Sequence, residues 1–178
     1  MRLRIAVLLN FLFFTAHAQE NIPASIYDFQ VVAHKGGTID FSQFRGKKIL
    51  IVNTTSRDAN NRQYAQLEAT YQKYKDRLVI VGFLTNDFAT APGSKKDEPT
   101  GNNVYNVTFP LAEKVLVRTD KMAPIYKWLT EKKYNKLQDT EVPADYEKFL
   151  INEKGQLVAV FTIKDVATGQ KITAAIEQ

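Results

Sequence analysis

Cysteine is absent from all 178 residues. Its absence excludes disulfide cross-links, thiol nucleophiles and thiolate metal sites together. Histidine is nearly absent as well, with only His17 and His34, so neither a serine–histidine triad nor a multi-histidine zinc site is available. The basic excess is small, 24 Lys+Arg against 19 Asp+Glu, and it is dispersed along the chain. A nucleic-acid binder would carry a basic stripe with base-reading or aromatic residues beside it, and none is present. Long apolar runs are missing beyond the first eighteen residues, which leaves no stable membrane anchor.

What is present begins with those eighteen residues. Arg2 and Arg4 form a basic start, Ile5–Phe14 is apolar apart from Asn10, and Ala16-His17-Ala18 supplies the small residues of a cleavage site. The pattern is that of a secretory signal peptide over 1–18, with Gln19 as the new N-terminus and an exported, periplasmic or secreted, product. Cleavage there leaves 22 basic against 19 acidic residues, a charge of about +3. Residues 19–178 suffice for one domain with a substantial core.

Within that domain, Tyr27–Val32 and Thr38–Phe41 read as an N-terminal β-hairpin around His34-Lys35-Gly36-Gly37. Lys47–Asn53 and Leu78–Leu84 are continuous apolar runs of the kind buried on both faces of a sheet. Between them, Tyr64, Leu67, Tyr71 and Tyr74 recur at helical spacing, predicting a helix over about 59–75. Thr90–Asn103 is a polar loop, and Tyr105–Pro110 approaches the core again. Ala123–Lys132 is a helix with Pro124 in its first turn. Lys148–Asn152 and Gln156–Thr162 form a hairpin about Glu153-Lys154-Gly155, and Ala167–Glu177 a closing helix. The order β-α-β, α, β-β-α predicts an α/β fold: a central mixed β-sheet flanked by helices.

Five segments in this order resemble the glutathione peroxidase family, whose fold is thioredoxin-like. They are SIYDF at Ser25–Phe29, FRGKKILIVNTTS at Phe44–Ser56, VTFPL at Val107–Leu111, PIYKWL at Pro124–Leu129 and KFLINEKGQLVAVF at Lys148–Phe161. The family's chemistry does not accompany its scaffold. The resemblance puts Asp58, in NTTSRDA, at the family's peroxidatic cysteine or selenocysteine, with one residue deleted soon after it. Asp87, in FLTNDF, takes the place of the catalytic glutamine, while Asn86 is kept. In ADYEKFL, Ala144 and Asp145 stand where the family has tryptophan and asparagine. The resolving cysteines of the thioredoxin-dependent branch are missing too.

Peroxide reduction on this scaffold requires a low-pKa thiolate that becomes a sulfenic acid and is then reduced by a second thiol. A carboxylate is a poor nucleophile toward peroxide and has no such oxidation ladder. The expectation is therefore a pseudoenzyme that acts by binding an unknown protein or small-molecule ligand, without catalytic residues or a cofactor. A name in peroxidase or oxidative-stress terms would then describe ancestry alone. The plain reading of Asp58 is a helix N-cap, worth about 1 kcal/mol. The sharper alternative is a divalent-cation site, for Ca²⁺ or Mg²⁺, made by Asp58, Asp87 and Asp145, with Asn86 or backbone carbonyls completing the shell. Tyr126 and Trp128 read as packing residues, and His34 as a solvent-exposed turn residue. Asn53-Thr54-Thr55 and Asn106-Val107-Thr108 match the glycosylation pattern. The short stretch between Trp128 and Phe149 lacks the insertion used by tetrameric relatives, so a monomer is expected.

Overall fold

The computed structural model describes residues 21–55, 62–88 and 106–178. The expected signal peptide, Asp58 with its cap, and the 90–103 loop lie outside these residues. The chain enters through a 3₁₀ turn, Ile26–Asp28, capped by Ser25, whose hydroxyl accepts from the Tyr27 amide at 3.2 Å. Strands β1 (Gln30–Val32) and β2 (Thr38–Asp40) then form the N-terminal hairpin, pairing Val31 with Ile39. The first strand is thus shorter than the sequence pattern suggests. Ser25 caps a turn there, so Tyr27 and Phe29 are buried from 3₁₀ and flanking backbone rather than from a ladder.

The central sheet has five strands. They are β3 (Lys48–Thr55), β4 (Leu78–Thr85), β5 (Leu111–Ala112), β6 (Lys148–Ile151) and β7 (Leu157–Phe161), in the order β5-β4-β3-β6-β7. β3 and β4 run parallel with Ile51 beside Val81, and helix α1 (Arg62–Tyr74) makes the crossover between them. β6 runs antiparallel to β3, Ile51 facing Phe149, and β7 returns antiparallel to β6. The sheet is mixed, as expected. Both central strands are covered on both faces, which explains their unbroken apolar runs.

Alternate residues feed two cores. Ile49, Ile51, Val81, Phe83 and Phe149 point to the side of α2 (Pro124–Thr130), where Tyr126 lies edge-on to Phe83 at 5.5 Å and to Phe149 at 6.2 Å. Leu50, Val52, Ile80, Leu84 and Leu150 point to the side of α1 and α4 (Gln170–Glu177), meeting Leu67, Ile172 and Ile176. Gly82 belongs to this second face. A Cβ there would stand 2.6 Å from Leu111 Cδ2, so glycine lets β5 close against β4.

The helix expected over 123–132 divides. Glu131 adopts extended dihedrals (φ −105°, ψ 119°) between α2 and the short α3 (Lys132–Asn135). The closing helix starts later than its apolar pattern, with Gly169 as its N-cap. β5 was not evident in sequence, because two paired residues leave no periodicity to read. His34 is half-buried rather than fully exposed, and its backbone amide donates to the Leu111 carbonyl at 2.8 Å, tying the hairpin to β5. Among the described residues, no helix is long and apolar enough to cross a membrane.

Candidate functional site

The carboxyl ends of β3 and β4 and the chain entering β6 meet at one end of the sheet. Asn53, fully buried, organises this corner from β3. Its Nδ2 donates to the Ala144 carbonyl at 2.8 Å, and its own carbonyl accepts from the Tyr146 amide at 2.7 Å. Residues 144–146 are thereby held against the end of β3. Tyr146 takes a left-handed backbone conformation, φ 63°, as the chain swings into β6. Its ring packs edge-on at 5.9 Å against Tyr64, in the first turns of α1. The same contacts bury the amide of Asn53 inside the strand, so the first glycosylation pattern is structural in the folded domain; Asn106, in the second, is exposed.

Asp87 leaves the end of β4 on the other side of β3. Its amide donates to Thr85 Oγ1 at 3.2 Å, which fixes the turn. Its carboxylate Oδ2 accepts from the backbone amides of Val117, at 2.7 Å, and Arg118, at 3.2 Å. Val117 is fully buried, so a charged acceptor there satisfies a donor that water could not reach freely. Arg118 turns its guanidinium over the Phe88 ring at 5.3 Å. The Tyr126 hydroxyl is pushed well above the ordinary phenol pKa, first by burial and then by the negative charge of Asp87.

The four positions that the resemblance puts at the family's tetrad therefore differ in their surroundings. Asp58 lies outside the described residues. Ala144 and Asp145 are half-buried in the turn held by Asn53, and Asp87 is committed to two amides of the 117–118 segment. Asp87, two residues past β4, and Asp145, three before β6, lie at the same end of the sheet, beside the two strands that flank β3. Among the described residues, no three His, Cys, Asp or Glu side chains gather as a metal-ligand set. Sequence reasoning missed the partners of Asp87, because backbone amides thirty residues away carry no residue-type signal. It also missed the role of Asn53, which it marked only as the end of an apolar run and the head of a glycosylation pattern.

One step beyond this corner, Lys148 is fully buried at the start of β6. Its Nζ donates to the Tyr146 carbonyl at 2.7 Å and to that of Thr162 at 3.4 Å. Burial lowers its pKa to about 8, against the opposing pull of Glu147 and Asp165. Beside the Asp87-bound segment opens a cavity of about 390 Å³, lined by Val117, Arg118, Met122, Glu141 and Val142 among others.

The family model for glutathione peroxidase matches residues 26–130. The glutathione peroxidase-like peroxiredoxin gpx1 of Schizosaccharomyces pombe is 38% identical over 135 residues, covering 74% of this chain and 85% of its own. The glutathione peroxidase homolog BsaA of Staphylococcus aureus is 34% identical over 140 residues, covering 77% and 88%. Among solved structures, the crystal structure of Trgpx in apo form superposes with a TM-score of 0.65 at 33% identity, covering 86% of this chain and 96% of that one. Peroxiredoxin Q of Xanthomonas campestris, at 13% identity and a TM-score of 0.52, shares the thioredoxin-like fold. This chain belongs to the glutathione peroxidase family.

Proposed function

We propose that this chain is an exported, monomeric member of the glutathione peroxidase family that has lost thiol peroxidase turnover and acts by binding. The observation that carries the reading is the use of Asp87. At the position matching the catalytic glutamine stands a carboxylate that accepts from two backbone amides, holding the 117–118 segment in place. It works as a structural clasp where the family presents a donor to a reacting thiolate. The lack of any cysteine in the sequence agrees, since no residue can supply the thiolate or resolve a sulfenic acid. Ala144 and Asp145 offer neither the indole nor the amide that the family's pattern would place beside it. The 390 Å³ cavity next to the clasp is of a size suited to a small ligand.

The test is consumption of hydrogen peroxide and of a lipid hydroperoxide with glutathione or thioredoxin as reductant. Rates equal to a protein-free blank support the reading, and sustained turnover sinks it. Export is tested separately, by finding whether the mature chain recovered from the native host begins at Gln19. Size-exclusion chromatography with light scattering tests the monomer.

A second reading keeps the cation. Asp87 commits Oδ2 to the amides and makes no hydrogen bond through Oδ1 among the described residues, while Asp145 lies at the same end of the sheet. With Asp58 these would offer the oxygen ligands that Ca²⁺ or Mg²⁺ prefers. Calorimetric titration of the native chain with each ion decides it: no heat, or the same heat from Asp87→Ala, removes the cation.

A further inference from the structure

The end of the sheet away from Asp87 carries a second cleft. β6 enters beside Val52 and finishes beside Ile49, so the β6–β7 hairpin lies at the amino end of β3. Between that hairpin and the α2–α3 corner opens a cavity of about 460 Å³. Trp128, Tyr134 and Leu157 contribute packed apolar surface, and Leu137 and Val158 line it while 39% and 44% exposed. Two of the larger exposed apolar side chains thus converge on one concavity, where a ligand would cover them.

The charges lining this cleft have one sign. Among the described residues, Lys136 and Lys154 are its only ionisable residues besides Tyr134, and no carboxylate lines it. The acids near it in sequence are engaged elsewhere: Glu153 with Lys48 at 2.6 Å, Glu131 with Lys133 at 2.7 Å, and Asp139 as acceptor from the Lys132 amide at 2.7 Å. Lys136 Nζ donates to the Lys133 carbonyl at 2.5 Å, which leaves further protons for an anion. The walls are also fixed in advance. Asn135, buried, donates to the carbonyls of Leu129 and Gln138 and accepts from the amides of Leu137 and Gln138, setting the corner that carries Lys136. On the facing side Gly155 has φ +81°, a conformation suited to glycine, and packs against Tyr27.

We propose that this cleft binds one small amphiphilic anion, a carboxylate on an apolar body, with the carboxylate between Lys136 and Lys154 and the body on Trp128, Leu137 and Val158. Its volume suits a single small molecule. The site stands apart from the Asp87 corner, so it is independent of whether the chain turns over peroxide.

Trp128 is the chain's sole tryptophan, and its indole N–H donates to the Ala24 carbonyl at 3.4 Å, so one NMR indole resonance reports on the cleft. The native chain is titrated with octanoate, octanol and octylammonium, each below its micelle concentration. The expected result is a saturable shift of the Trp128 indole signal with octanoate. Octanol and octylammonium should bind at least roughly fivefold more weakly, the scale of two exposed charge contacts. The double variant Lys136→Gln/Lys154→Gln, checked for unchanged melting, should lose the same factor for octanoate and leave octanol unaltered. Equal binding of octanol and octanoate, undiminished octanoate binding by the double variant, or an unmoved indole signal at saturating octanoate overturns the proposal.

Discussion

Replacing Asp87 by alanine removes an acceptor shared by two amides, and its cost follows from their burial. The bond to the Val117 amide, 2.7 Å long, is charge-assisted and serves a residue with no exposed surface. Orphaning such a donor costs about 1–3 kcal/mol. The longer bond to Arg118, 3.2 Å, lies on the exposed side, where water can take over, so it adds little. Asp87→Ala should therefore destabilise the domain by about 1.5–3 kcal/mol, lowering Tm by roughly 4–10 °C for a domain of this size. Asp87→Asn keeps a neutral acceptor and should cost about half as much. Thermal and urea unfolding followed by circular dichroism measure both. Added Ca²⁺ or Mg²⁺ should leave the difference between variants unchanged if the carboxylate is a clasp alone. A loss below about 0.5 kcal/mol for the alanine variant would refute the clasp, because surface substitutions without a role fall in that range.

Two further perturbations probe the frame around the site. Lys148 has a folded pKa of about 8, below its unfolded value, so between pH 8 and about 10.5 the unfolded chain binds more protons. Its contribution to stability should rise with pH across that window and be level below it. Urea unfolding of the native chain and Lys148→Met at pH 7.5 and 9.5 should show that extra rise only in the native chain. Gly155→Ala should destabilise by about 1–3 kcal/mol, since φ is +81° and the new Cβ would stand 2.5 Å from the Tyr27 ring; unchanged melting would show that the hairpin moves away from Tyr27 freely.

Much of the fold could be read from residue patterns because its central strands are covered on both faces. ILIV at Ile49–Val52 and LVIVGFL at Leu78–Leu84 carry no polar interruption, and the spacing of Tyr64, Leu67 and Tyr74 marks the buried face of α1. What escaped was set by contacts between distant segments. β5 exists because Gly82 lets Leu111 close on β4, and the break at Glu131 comes from backbone dihedrals that no residue type there demands. The residues expected at the family's tetrad positions were visible by resemblance alone. The job that Asp87 now does was not, since its partners are main-chain amides of Val117 and Arg118, and amides look alike in every sequence. Nothing in KFL marks Lys148 as buried, and only the two carbonyls around its Nζ explain why burial is tolerated.

The proposed loss of peroxide reduction is open to direct test. The most direct measurement follows hydrogen peroxide itself with an electrode, in the presence of the chain and excess glutathione, then of thioredoxin with its reductase. The account predicts traces that superpose on the protein-free blank at every protein concentration. A decay rate that rises in proportion to protein, and is lost on heat denaturation, would contradict it.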